Sequence, residues 1–116
     1  MADDTVFRTM LFDFYGELLT EKQREYFDLH CNSDLSLAEI AEQTGISRQG
    51  VWDIIKRAEG TLRGIEEKTG LMRRFSERRD AILEIESDLK TLCRITEGQA
   101  RDLAETALAK LKLLED

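Results

Sequence analysis

Arg48, Gln49, Trp52, Asp53 and Lys56 follow one another at steps of one, three, one and three, so on a helix they share one outward face. Arginine to guanine and glutamine to adenine are the contacts that the early part of a recognition helix makes in the major groove. Ser47, Thr44 and Arg57 stand where side chains hold phosphates and position such a helix. Asp53 dissents, because a carboxylate repels phosphate and at best accepts from a cytosine amino group. Trp52 reads either as an aromatic facing a base or a partner, or as a partly buried packing residue. The face therefore points to DNA contact, with a solvated face on a fold retained for another partner as the competing account.

No other constellation offers chemistry. Cys31 and Cys93 lie far apart, and neither has a second sulfur ligand nearby, so both read as reduced, inert thiols. His30 is the sole histidine, which removes most histidine-centred metal and triad arrangements and leaves it as a surface or cap residue. With no phosphate loop, metal cluster or nucleophile paired to a base, we expect a protein that is not an enzyme and needs no cofactor or metal.

The elements that must position that face are written in "SLAEIAEQTGISRQGVWDIIKRAE", residues 36–59. In a helix-turn-helix register starting at Leu37, Ala41 takes the point of closest helix approach, where a larger side chain would push the pair apart. Gly45 falls at the turn, where a left-handed backbone favours glycine. Ile40, Ile46, Val51 and Ile54 face the core. Ser36 with Glu39 forms a capping box, as does Thr20 with Gln23 ahead of an earlier helix, and Ser47 caps the second helix of the motif.

Elsewhere the pattern is helical throughout, and the chain has no proline, so an all-α fold is expected. "VFRTMLFDFYGELL" sets Val6, Met10, Leu11, Phe14 and Leu18 on one stripe, widened by Phe12 and Tyr15. The next helix buries Tyr26, Phe27, Leu29 and Cys31 and ends at "NSD", residues 32–34. From Val51 the apolar positions Ile55, Ala58, Leu62 and Ile65 let the second motif helix run on through Gly60 and Gly64, although a break between 60 and 70 is the alternative. Phe75, Ile82, Ile85, Leu89 and Leu92 then repeat with a seven-residue period, and a last stripe holds Leu103, Ala107, Leu111 and Leu114. About three heptads suit a helix packed on its own domain or on a partner chain better than a free coiled coil. A helix-turn-helix domain over 1–66 and a C-terminal helical extension over 67–116 follow.

The net charge of −7 argues against a generic nucleic-acid coat, since phosphate neutralisation supplies most non-specific affinity. Its distribution is uneven. Residues 1–46 hold 3 Lys+Arg against 10 Asp+Glu, residues 47–79 hold 9 against 5, and residues 80–116 hold 5 against 9. The one basic segment thus begins at the second motif helix and includes "LMRRFSERRD", residues 71–80. There Arg73, Arg74, Arg78 and Arg79 spread over a broad solvated face, with nucleic-acid backbone contact as the alternative. No apolar run approaches a membrane span, and "MADDTVFRTM" lacks the basic start and apolar stretch of a signal peptide, so a cytoplasmic location is expected.

"FDFYGELLTEKQREYFDL" followed by "DLSLAEIAEQTGISRQGVWDIIKRAE" resembles the bacterial YlxM family, small helix-turn-helix proteins similar to region 4 of sigma factors. The resemblance covers residues 9 to about 60. It implies an accessory or regulatory role in the signal recognition particle pathway, because members are encoded beside the genes for that particle's GTPase and its receptor. It further implies no catalytic residue and self-association through helices, hence a homodimer. Two functions stay open at this point. One is a nucleic-acid-binding protein contacting DNA or signal recognition particle RNA through Ser47, Arg48, Gln49, Trp52, Lys56 and Arg57. The other is a module that docks on the targeting GTPase or its receptor, with the helix-turn-helix as scaffold.

Overall fold

Side-chain caps close the starts of three helices, and left-handed glycines terminate two. Thr20 and Ser36 each accept the backbone N–H three residues on while Gln23 and Glu39 reach back, two complete capping boxes. Ser47 accepts from Gly50 N–H at 3.0 Å. Gly45 (φ 81°) and Gly70 (φ 62°) take the left-handed conformation at the ends of the helices they stop, where a side chain would be strained. The structure, a computed structural model, describes residues 2–115, with side chains from Thr5 onward.

The resulting fold is all-α. It comprises α1 (Ala2–Tyr15), a single 3-10 turn (Gly16–Leu18), α2 (Glu21–Cys31), α3 (Leu37–Thr44), α4 (Arg48–Thr69), α5 (Leu71–Ile95) and α6 (Gly98–Lys112). No described residue is in a strand. No described helix is long and apolar enough to cross a membrane.

The described chain divides into two units, one reaching Met72 and one starting at Arg73. In the first, α4 is the central rod. Val51, Ile55, Ala58 and Leu62, at steps of four, three and four, are all buried, and α1, α2 and α3 pack around them through Leu11, Tyr15, Tyr26, Phe27 and Ile40. Phe27 is fully enclosed, stacked on Phe12 at 5.6 Å between ring centroids. Ile46 and Ile54, expected in the core, are half-buried against its edge, and Ile55 takes the more central place.

The expected stripe of α1 is rotated. Leu11 and Tyr15 face the core, whereas Val6, Phe14 and Leu18 are exposed. The physical reason is a clamp visible only in three dimensions. The Tyr15 hydroxyl donates to Glu66 Oε1 at 2.5 Å and lies 2.9 Å from Thr69 Oγ1, and the same Glu66 oxygen accepts Met72 N–H at 2.9 Å. One carboxylate thereby joins α1, the end of α4 and the first turn of α5. Helix α4 does not break at Gly60 or Gly64, so the first unit extends a few residues past position 66.

In the second unit α5 and α6 form an antiparallel hairpin. Ile82 and Leu83 line one cavity with Leu114 and Glu115 at one end, while Cys93 and Arg94 line another with Glu105 and Leu108 towards the other. Here too the covered rows differ from expectation. Ala104 and Leu111 are buried and Leu108 half-buried, but Leu103, Ala107 and Leu114 are exposed; on α5, Ile82, Leu89 and Cys93 are half-buried, but Phe75, Ile85 and Leu92 are exposed.

Candidate nucleic-acid interface

The geometry of the site starts at the turn between α3 and α4. Ser36 and Glu39 fix the start of α3, and the Ser36 N–H that Glu39 accepts at 2.9 Å holds the Glu39 carboxyl below the usual carboxylate range. Gly45 then turns the chain, and no atom lies within 4 Å of where its Cβ would stand, so its left-handed φ is what restricts this position to glycine. Ser47 caps α4, and its hydroxyl, having accepted from Gly50, keeps one proton to donate outward.

With Val51 and Ile55 buried, the opposite side of the first two turns of α4 faces solvent. Arg48, Gln49, Trp52, Asp53, Lys56 and Arg57 are all exposed, Trp52 at 44%. Lys56 Nζ lies 5.7 Å from the centre of the Trp52 ring, a cation-π contact that keeps the ammonium over the indole. Gln49 donates to Asp53 Oδ1 at 3.1 Å. That bond engages one oxygen of the Asp53 carboxylate along the same face.

Thr44 departs from its expected role. Its hydroxyl donates back to the Ile40 carbonyl at 2.8 Å, so the donor turns into the helix and away from any phosphate. His30, at the end of α2, donates from Nδ1 to the Leu35 carbonyl at 2.9 Å; a carbonyl can only accept, which fixes the tautomer. The ring holds the loop between α2 and α3. Within that loop Asp34 adopts a left-handed φ of 58°, a conformation aspartate tolerates.

A groove beside the exposed face had no signal in the sequence. It is lined by Arg8, His30, Leu37, Trp52, Ile55, Lys56 and Glu59. Arg8 Nε donates to Glu59 Oε1 at 2.7 Å and its guanidinium covers the Phe27 ring at 5.4 Å, while Arg63 Nε donates to the other Glu59 oxygen at 2.8 Å. Arg8 and Glu59 are 51 positions apart, and no local pattern could have paired them. Cys31, close to this network, has its thiol pushed up by burial. The basic run of Arg73, Arg74, Arg78 and Arg79 is exposed along α5.

Two short helices joined through a left-handed glycine, the second capped and presenting a polar face opposite its buried one, define a helix-turn-helix protein. The chain belongs to the UPF0122 family, whose model, described as "helix-turn-helix protein, YlxM / p13 like", matches residues 2–101. A UPF0122 protein of Thermoanaerobacter sp. (strain X514) is 56% identical over 77 residues, 66% of this chain and 66% of that one. One of Acetivibrio thermocellus is 51% identical over 83 residues, covering 72% of this chain and 71% of the relative. One of Halalkalibacterium halodurans is 47% identical over 85 residues, covering 73% and 78%. The family match runs well past residue 60, where the resemblance seen in the sequence motifs stops.

Proposed function

We propose that this is a nucleic-acid-binding accessory or regulatory protein rather than an enzyme, acting in the cytoplasm and reading DNA or RNA with the first two turns of α4. The observation that carries this reading is the shared exposure of Arg48, Gln49, Trp52 and Lys56 on one side of a capped helix whose other side is buried. In this reading Arg48 and Gln49 contact base edges, Trp52 stacks, and Ser47, Lys56 and Arg57 hold phosphates. The YlxM resemblance adds the signal recognition particle pathway as the setting, which makes that particle's RNA a ligand to test beside duplex DNA. It also implies two copies acting together.

Gel-shift titration of wild type against the Arg48→Ala, Lys56→Ala double variant, on both duplex DNA and signal recognition particle RNA, tests the assignment. Binding should weaken by about tenfold or more on the true ligand. Unchanged binding by the double variant on both ligands removes this face from the reading.

A second reading draws on the Gln49–Asp53 hydrogen bond, which occupies both side chains on the face meant to read bases. In it the helix-turn-helix is a scaffold and the protein docks on the targeting GTPase or its receptor. Association with the purified GTPase, free of RNA and insensitive to salt, distinguishes it, because few phosphates would be involved.

A further inference from the structure

The exposed indole of Trp52 borders two clefts of the first unit, and Leu37, the first residue of α3, borders both as well. One cleft, of about 430 Å³, is completed by Arg48 and Gln49. The other is the groove that holds Lys56 and the Glu59 paired with Arg8. Lys56, whose ammonium lies 5.7 Å from the centre of the Trp52 ring, lines the second cleft and not the first. The indole surface in the first cleft is thereby left open to solvent. Among the described residues no carboxylate lines that cleft, and its volume is enough for one small planar ligand.

The chemistry of the first cleft suits an unpaired nucleobase. Along the major groove of a duplex the bases are stacked on one another and present only their edges, so an indole finds no ring face to lie on. A base outside a duplex offers one, and every base can stack on an aromatic ring. An unpaired base also exposes its Watson–Crick edge, where donors and acceptors stand side by side. The Gln49 amide gives one N–H to Asp53 and keeps a second N–H and its oxygen. Arg48 adds further donors, and Leu37 supplies an apolar wall. Lys56 and Arg57, farther along α4 and exposed, remain for the flanking phosphates.

We propose that the cleft between Leu37 and Trp52 takes one unpaired base of a loop or single strand, stacked on the Trp52 indole with its edge against Arg48 and Gln49. The ligand class of α4 is then non-duplex nucleic acid. This deepens the reading of α4 as a nucleic-acid-binding face and rests on it.

Trp52 is the sole tryptophan of the chain, so its fluorescence reports on the cleft directly. The full chain is titrated with a hairpin RNA carrying an unpaired loop, with single-stranded DNA of the loop sequence, and with a blunt duplex of that sequence. The hairpin should quench the fluorescence and bind about tenfold or more tightly than the duplex. Quenching by the single-stranded DNA as well assigns recognition to the base, and quenching by the hairpin alone adds the ribose hydroxyl; both support the inference. In gel shifts Trp52→Ala should weaken hairpin binding by about tenfold or more, the loss of one stacked base. Trp52→Phe, which keeps a ring face, should stay within about threefold of wild type, with helical circular dichroism retained in both. The fluorescence arm needs no variant and decides the matter even if Trp52→Ala does not fold. Duplex binding as tight as loop binding overturns the inference, and so does a fluorescence unmoved by either unpaired ligand. A folded Trp52→Ala variant that binds like wild type overturns it too. The reading of α4 fails on a different result, unchanged binding by the Arg48→Ala, Lys56→Ala double variant.

Discussion

Gly60 and Gly64 lie in the interior of α4, and a Cβ at either would meet nothing within 4 Å. Neither has a positive φ, so both pay the entropic penalty of glycine in a helix without using its freedom. Gly60→Ala and Gly64→Ala are therefore expected to stabilise the protein by about 0.5–1 kcal/mol each, measured by urea unfolding with an unchanged slope. Destabilisation by either substitution would overturn the view that the glycines cost the helix stability without using their freedom. Gly45 is the opposite case: the space there is also open, but its φ of 81° makes alanine costly.

At the scale of elements, the capping boxes decide where helices begin, and one of them responds to acid. The Glu39 pKa is depressed because its carboxylate accepts the Ser36 N–H. A depressed folded-state value means that the contribution is fully present above the unfolded glutamate value and is lost as pH falls through the folded one. Thermal unfolding against pH should show a shallower acid limb for Glu39→Gln than for wild type, and identical limbs would detach the box from stability. Boxes of this kind were legible in the sequence because every partner lies within four residues; so was Gly45, and so was the exposure of Arg48, Gln49, Trp52 and Lys56. What the sequence left undecided was which of two adjacent apolar rows is covered. On α1 the core takes Tyr15 instead of Phe14, and on α6 it takes Ala104 and Leu111 instead of Leu103 and Leu114. Each helix carries a wide apolar sector, and the choice within it is made by partners such as Glu66 that stand 51 positions away from Tyr15. The Arg8–Glu59–Arg63 network was illegible for the same reason.

For the molecule as a whole, an acidic total of −7 surrounds a basic segment that starts on α4, so affinity for nucleic acid has to come from a few local cations. If Lys56 and Arg57 each meet a phosphate, the logarithm of the binding constant for duplex DNA should fall with the logarithm of salt concentration with a slope of about −2. Lys56→Ala with Arg57→Ala should reduce its steepness by about two. A slope near zero in wild type would favour docking on a protein. These cations stand near the first residue of a helix that runs unbroken for 22 residues, about 33 Å at 1.5 Å per residue. Its other end is bolted by Tyr15, Glu66 and Thr69 to α1 and to the start of α5. Mechanically, α4 is one rod without a hinge: its exposed first turns and the end clamped by Tyr15, Glu66 and Thr69 belong to a single stiff element.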